Sequence, residues 1–260
     1  MENLSKLFRL RILKNLKKVG AGHIASSLSC IDILIAILIK EKKEEDTFIL
    51  SKGHAAMALY VTLNHLGEIS DEILDTYYTD GTILPAHPPP GKFKSIPFAL
   101  GTLGHGFPIA VGIALANSLN NHNYYTYVLM SDGDTNEGTT WEAMHFAVKH
   151  KLEKLIVIID KNRLQGFGSS VDILGDTAKK LIWDKIGFEV NEVDGHKITE
   201  IQRAISNLKN STTARPKLVI ANTTKGKGVS FMENKMEWHY LPMNEEQYVQ
   251  ALSDINNFYA

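Results

Sequence analysis

The chain has 260 residues, with 28 lysines and arginines against 29 aspartates and glutamates, and a single cysteine. The near-zero balance gives no basic surplus for nucleic acid or an acidic membrane, and Cys30 alone forms no internal disulfide, which suits a reducing cytoplasm. The longest apolar run, 30–39, contains Asp32 and is too short to span a bilayer, and the amino terminus lacks the apolar core of a secretory signal. A soluble cytoplasmic chain without nucleic-acid or membrane partners, folded as one domain over 1–260, is expected.

Residues 3–18 place Leu4, Leu7, Phe8, Ile12 and Leu13 at near-helical spacing among lysines and arginines, which predicts an amphipathic helix ended by Gly20. A polar loop holding His23 then enters a strongly apolar helix. A short strand over 47–50 leads through Ser51-Lys52-Gly53-His54 into a helix over 55–66, so His54 falls at a strand-to-helix junction. A helix over 71–78 is expected next, then an irregular proline-rich loop over 81–97 that contains His87. The run GTLGHG at 101–106 opens a helix that ends near Leu119.

The most informative stretch follows. An aromatic and β-branched strand over 124–130 stops at Ser131-Asp132-Gly133-Asp134, a helix covers 139–150, and a second apolar strand over 155–159 ends at Asp160-Lys161-Asn162. This is a βαβ unit with Asp132 and Asn162 beyond the carboxyl ends of two parallel strands. A helix over 178–186, a strand over 189–193, a helix over 198–208 and a strand over 218–222 complete the pattern. About five strands alternate with helices, which predicts an α/β fold: a mostly parallel central sheet covered by helices on both faces. The glycine-containing segment 223–239 follows the last strand and so lies at the ligand edge.

A carboxylate, an amide oxygen and a loop carbonyl suit a hard divalent cation such as magnesium that shares phosphate oxygens. Gly133 lets a diphosphate approach its backbone N–H beside a helix start. Taken singly, Asp-Gly and Lys-Asn are ordinary turn dipeptides. Their joint occurrence, thirty positions apart, each after an apolar strand and with one helix between, favours the cofactor reading.

Asp132-Gly133 followed by Asn162 resembles the thiamine diphosphate fingerprint. GHIASSLS at 22–29, SKGHA at 51–55, GTLGHG, DGH at 194–196 and KGKGVSFMENKMEWH at 225–239 are similar, in the same order, to the amino-terminal half of transketolase. The resemblance implies the diphosphate-binding module of the thiamine diphosphate fold. It implies thiamine diphosphate and magnesium, with calcium or manganese able to substitute, as cofactors. Asp132, Asn162 and the Leu164 carbonyl would hold the metal, and Gly101, Leu103, Gly104, Gly133, His54 and His239 would contact the cofactor. His23, His54, His87 and His239 would face the reacting sugar. Without the resemblance, a chain with ten histidines simply has several in loops. Glu137 would belong to a carboxylate network across a subunit contact; its competing role is to favour the first turn of a helix by its charge. His105 stands where the family commonly has glutamine.

Transketolases pass a two-carbon ketol unit from a ketose to an aldose. They need a glutamate on the pyrimidine ring from a domain this chain does not resemble. A split enzyme is therefore expected, an α2β2 assembly with a carboxy-terminal partner carrying the pyrimidine domain, acting on sugar phosphates. Ala25, Ala86-His87-Pro88-Pro89-Pro90, Ala99-Leu100 and Tyr240 depart from the usual pattern on the substrate wall, which opens the way to an unusual or nucleotide-linked sugar. The alternatives are the α subunit of a 2-oxo acid dehydrogenase, against which SKGHA and MEWH argue, and a non-catalytic scaffold, which needs neither Asp132 nor the loop histidines.

Overall fold

The computed structural model describes residues 2–259. Its five strands, β1 (Thr47–Leu50), β2 (Thr126–Ser131), β3 (Leu155–Lys161), β4 (Glu189–Asp194) and β5 (Lys217–Asn222), form one sheet in the order β1-β2-β3-β5-β4. Every neighbouring pair is parallel. The helices are α1 (Glu2–Val19), α2 (Ile24–Leu34), α3 (Ala56–His65), α4 (Asp71–Leu74), α5 (Gly106–Leu119), α6 (Gly138–Lys149), α7 (Ser170–Leu174), α8 (Lys180–Ile186), α9 (Ile198–Asn210) and α10 (Glu245–Phe258).

Successive strand residues point to opposite faces, and each face is apolar, so the sheet is buried on both sides. Tyr127, Leu129, Ile156, Ile158 and Val219 enter a core shared with α1, α2, α3, α9 and α10. Val128, Met130, Val157, Ile159 and Ile220 enter a second core shared with α5, α6 and α8. The apolar segment after His23 is buried along its whole α-helical length, because α1, α3, α9 and β3 surround it. It widens into a π-helical stretch over Ile35–Glu41 before β1.

The parallel register brings Leu50, Ser131, Lys161, Asp194 and Asn222 to the same edge of the sheet. Three expectations need correction. The helix expected over 71–78 stops at Leu74, and Tyr78 takes a left-handed φ of 57°. The segment 223–239 is not wholly irregular, since Met236–His239 forms a 3-10 turn that carries His239. The helix α10 was not expected; Asn244 and Gln247 close a capping box at its start.

Candidate active site

Two buried carboxylates organise the edge. Asp134, in the turn after β2, accepts from Ser51 Oγ (2.6 Å), Gly104 N (2.9 Å), Ser131 N (2.8 Å) and Ser131 Oγ (2.7 Å). It thereby ties the end of β1 and the Gly101–Gly106 loop to β2. Asp160, at the end of β3, accepts from Ser29 Oγ at 2.7 Å and bonds the Lys52 ammonium and the Thr223 hydroxyl. Burial opposes the charge of both members of the Lys52–Asp160 pair, yet each partner's charge overrides it: the lysine is raised and the carboxyl lowered. Neither Asp134 nor Asp160 has spare capacity for a ligand.

Asp132 differs. Its Oδ2 accepts from Arg163 N (2.6 Å) and Ser170 Oγ (2.9 Å), and its Oδ1 from Gly133 N (3.1 Å). Burial pushes its carboxyl up to about 6, and the Asp160 charge acts in the same direction. The turn Asn162-Arg163-Leu164 faces it, with Arg163 at a left-handed φ of 65°, backbone strain of the kind that gathers at functional sites. Asn162 Oδ1 accepts from Leu164 N at 3.1 Å. The Leu164 carbonyl accepts from Lys225 Nζ at 3.0 Å, and that lysine also lies 2.6 Å from His239 Nδ1. Burial and the charge of Lys52 bring the Lys225 ammonium down to about 8.

His23, His54, His87 and His239, from four loops, converge on one cavity of about 220 Å³, which Gly101, Leu103, Asp132, Gly133, Asn162, Leu164 and Tyr240 also line. The His23 ring centroid is 5.3, 5.9 and 5.1 Å from those of His54, His87 and His239. Burial lowers all four imidazoles, His23 to about 4 and His239 to about 3, with the cations Lys52 and Lys225 adding to the effect at His23, His54 and His239. They are therefore neutral at physiological pH, able to donate from one ring nitrogen and accept at the other.

The residues present fit the cofactor. Ser26 Oγ and His23 Nδ1 are buried without hydrogen-bond partners and belong to residues that line the cavity. Such orphaned groups are costly unless a ligand satisfies them. A Cβ on Gly133 would lie 3.3 Å from Leu103 Cδ1, so glycine keeps this floor open. A Cβ on Gly104, at φ +75°, would lie 2.4 Å from Glu137 Cβ. The Asp132 carboxylate, the Asn162 amide and the Leu164 carbonyl are the hard oxygen donors that magnesium prefers, with diphosphate oxygens supplying the rest.

Two expected residues stand apart. Glu137 is exposed at the start of α6, beyond Gly104 and outside the cavity, and His105 is exposed with its Nδ1 3.0 Å from the Leu103 carbonyl. Ser26 and Lys225 are site residues that sequence reasoning did not single out. Their only signal was membership of the GHIASSLS and KGKG runs.

Residues 2–256 match the family described as transketolase, thiamine diphosphate binding domain. An apulose-4-phosphate transketolase subunit of Phocaeicola vulgatus is 38% identical, covering 98% of this chain and 94% of that protein. The 6-deoxy-6-sulfo-D-fructose transketolase subunit SqwG of a Clostridium species is 34% identical, over 98% of this chain and 96% of the relative. Among solved structures, a Campylobacter jejuni transketolase superposes with a TM-score of 0.88 at 29% identity, covering 97% of this chain and 42% of that one. With the sheet, the diphosphate cradle and the matched residues in agreement, the chain belongs to the transketolase thiamine diphosphate-binding family.

Proposed function

We propose that this chain is the amino-terminal subunit of a split, thiamine diphosphate-dependent transketolase, a single diphosphate-binding module that works with a carboxy-terminal pyrimidine-domain partner in an α2β2 assembly. The observation that carries this is the convergence of four neutral histidines on the cavity that holds Asp132, Gly133 and Asn162. The two relatives named as subunits are matched over nearly their whole length, which supports a partner chain. So does Phe167, which is 87% exposed at the rim of the cavity.

When bound, the cofactor supplies the electron sink that allows a ketose to be cleaved beside its carbonyl. Asp132, Asn162 and the Leu164 carbonyl hold the metal; Gly133 N–H, Ser26 and His54 hold the diphosphate, and Leu103 packs on the cofactor. His23, His87 and His239 bind the sugar hydroxyls and move the proton of the hydroxyl next to the breaking bond. Glu137, outside the cavity and exposed, faces the second copy across the subunit contact. Those two relatives are named for different ketoses, so the substrate is set by the wall, where Tyr240 packs on His239 with ring centroids 4.5 Å apart. A ketose phosphate outside the common pentose phosphates is the substrate class proposed.

Calorimetric titration of magnesium and thiamine diphosphate tests the assignment, first into this chain alone and then into its complex with the pyrimidine-domain protein. Tight binding only in the complex, abolished by Asp132→Ala, followed by ketol transfer from a panel of ketose phosphates, is the expected result. Turnover by the chain alone, or no binding in the assembled complex, overturns it.

A further inference from the structure

The histidine of the Asp194-Gly195-His196 motif does not line the cofactor cavity. Its Nδ1 lies 3.0 Å from Asp32 Oδ2, and its Nε2 lies 2.8 Å from the Thr224 backbone N. An amide N–H only donates, so Nε2 is the bare nitrogen and Nδ1 carries the proton that goes to Asp32. Asp32 is itself fixed inside α2. Arg9 donates to both of its oxygens, at 3.0 and 2.6 Å, and Ser5 Oγ donates at 2.7 Å. Arg9 in turn donates to Tyr259 Oη at 2.7 Å and to the Lys227 carbonyl at 3.3 Å. The ring of His196 is thus held from behind by a buried ion pair and points its acceptor at one backbone amide.

That amide precedes Lys225. The lysine side chain crosses to the Leu164 carbonyl and to His239, both of which line the cavity. The same loop is held by the Thr223 hydroxyl on Asp160 and by Gly226 N donating to the Ala25 carbonyl at 3.0 Å. His196 is the hold that acts on the residue next to Lys225. We propose that His196 is a positioning residue for the cofactor site: the Arg9–Asp32–His196 chain fixes the Thr224 amide and, through it, sets where the Lys225 ammonium stands. The inference rests on the cofactor site assigned above and adds a residue that touches neither metal nor diphosphate.

A His196→Phe substitution keeps the ring volume and removes the acceptor. In the assembled complex its dissociation constant for thiamine diphosphate with magnesium is expected to rise about ten-fold, the effect of one lost hydrogen bond to a charged or positioning group. Lys225→Met is expected to cost at least as much, and the double variant no more than Lys225→Met alone, because His196 acts through Lys225. Losses that multiply in the double variant, or an unchanged affinity in His196→Phe, overturn the proposal. A merely structural histidine gives the multiplying result. Amide hydrogen exchange on the chain alone provides a second readout: faster exchange over 223–226 is expected in His196→Phe, and unchanged exchange there counts against the proposal. If His196→Phe fails to fold, His196→Gln, which retains an acceptor and a donor, is expected to keep the affinity within about three-fold of wild type, as retention of both hydrogen bonds requires; a ten-fold loss in a folded His196→Gln overturns the proposal. If the wild-type complex does not take up the cofactor, the proposed function fails, and the exchange measurement still decides the role of His196.

Discussion

Four imidazoles within about 6 Å of one another repel if they charge together, and burial already disfavours the first proton. This gives the site a pH signature. As pH falls below 6.5, a histidine in the unfolded chain takes up a proton that folded His23 refuses until about 4. The stability owed to His23 is therefore intact above 6.5 and lost as pH falls towards 4, at about 1.4 kcal/mol per pH unit for one proton. His239, held to about 3, extends the loss further. His23→Gln is expected to flatten the fall of the thermal midpoint between pH 6.5 and 4, and an unchanged slope would mean that the folded ring already carries a proton there. At this scale the sequence reading found the residues that carry distinctive chemistry, since a histidine or an Asp-Gly at a strand end stands out. It missed Ser26 and Lys225, because a serine among serines and a lysine between glycines look solvated until burial removes their water.

The elements that hold those residues were legible where a single physical signal sufficed. Branched apolar runs of four to seven residues, each stopped by a polar turn, gave all five strands, and their parallel order followed from the helices between them. The helix α10 was not seen, because Ala251 and Ile255 are its only buried residues and make a faint stripe. Its start is nonetheless well made: Asn244 Oδ1 accepts from Gln247 N at 2.8 Å, and Gln247 Oε1 accepts from Asn244 N at 2.9 Å. Asn244→Ala is expected to cost about 1 kcal/mol, a fall of roughly 2–4 °C in thermal midpoint for a chain of this size. Calorimetry checks this, and an unmoved midpoint would show that α10 is held by Tyr259 and its apolar contacts alone. The junction after β1 is far less tolerant. A Cβ on Gly53 would fall 1.8 Å from the Leu100 carbonyl oxygen, so the SKGHA turn and the Gly101 loop meet backbone to backbone. Gly53→Ala is expected to destabilise the fold by more than about 3 kcal/mol in urea unfolding, since backbone must move to admit a methyl group. A wild-type midpoint would show that the loop before Gly101 yields freely.

For the whole molecule, the open question of its geometry is what meets the carboxyl edge of the sheet. The loop and helices after β3 present Phe167, Val171, Leu174 and Leu181, 87, 54, 60 and 56% exposed, and Phe167 also lines the cofactor cavity. Apolar side chains this exposed beside a site that needs a second domain mark an interface, and an aromatic residue at its edge is the expected anchor. Phe167 has little to lose in the isolated chain, because its ring already stands in solvent. Phe167→Asp should therefore leave the thermal midpoint of this chain unchanged while placing a charge where the pyrimidine-domain partner is to dock. Burial of an unpaired carboxylate there is expected to weaken association at least ten-fold, read by analytical ultracentrifugation of the two chains mixed. Cofactor affinity should fall in the mixture by the fraction of chain left unassembled and return when the partner is supplied in excess. Undiminished association would move the docking surface away from this loop, to the face of α6 that carries Glu137.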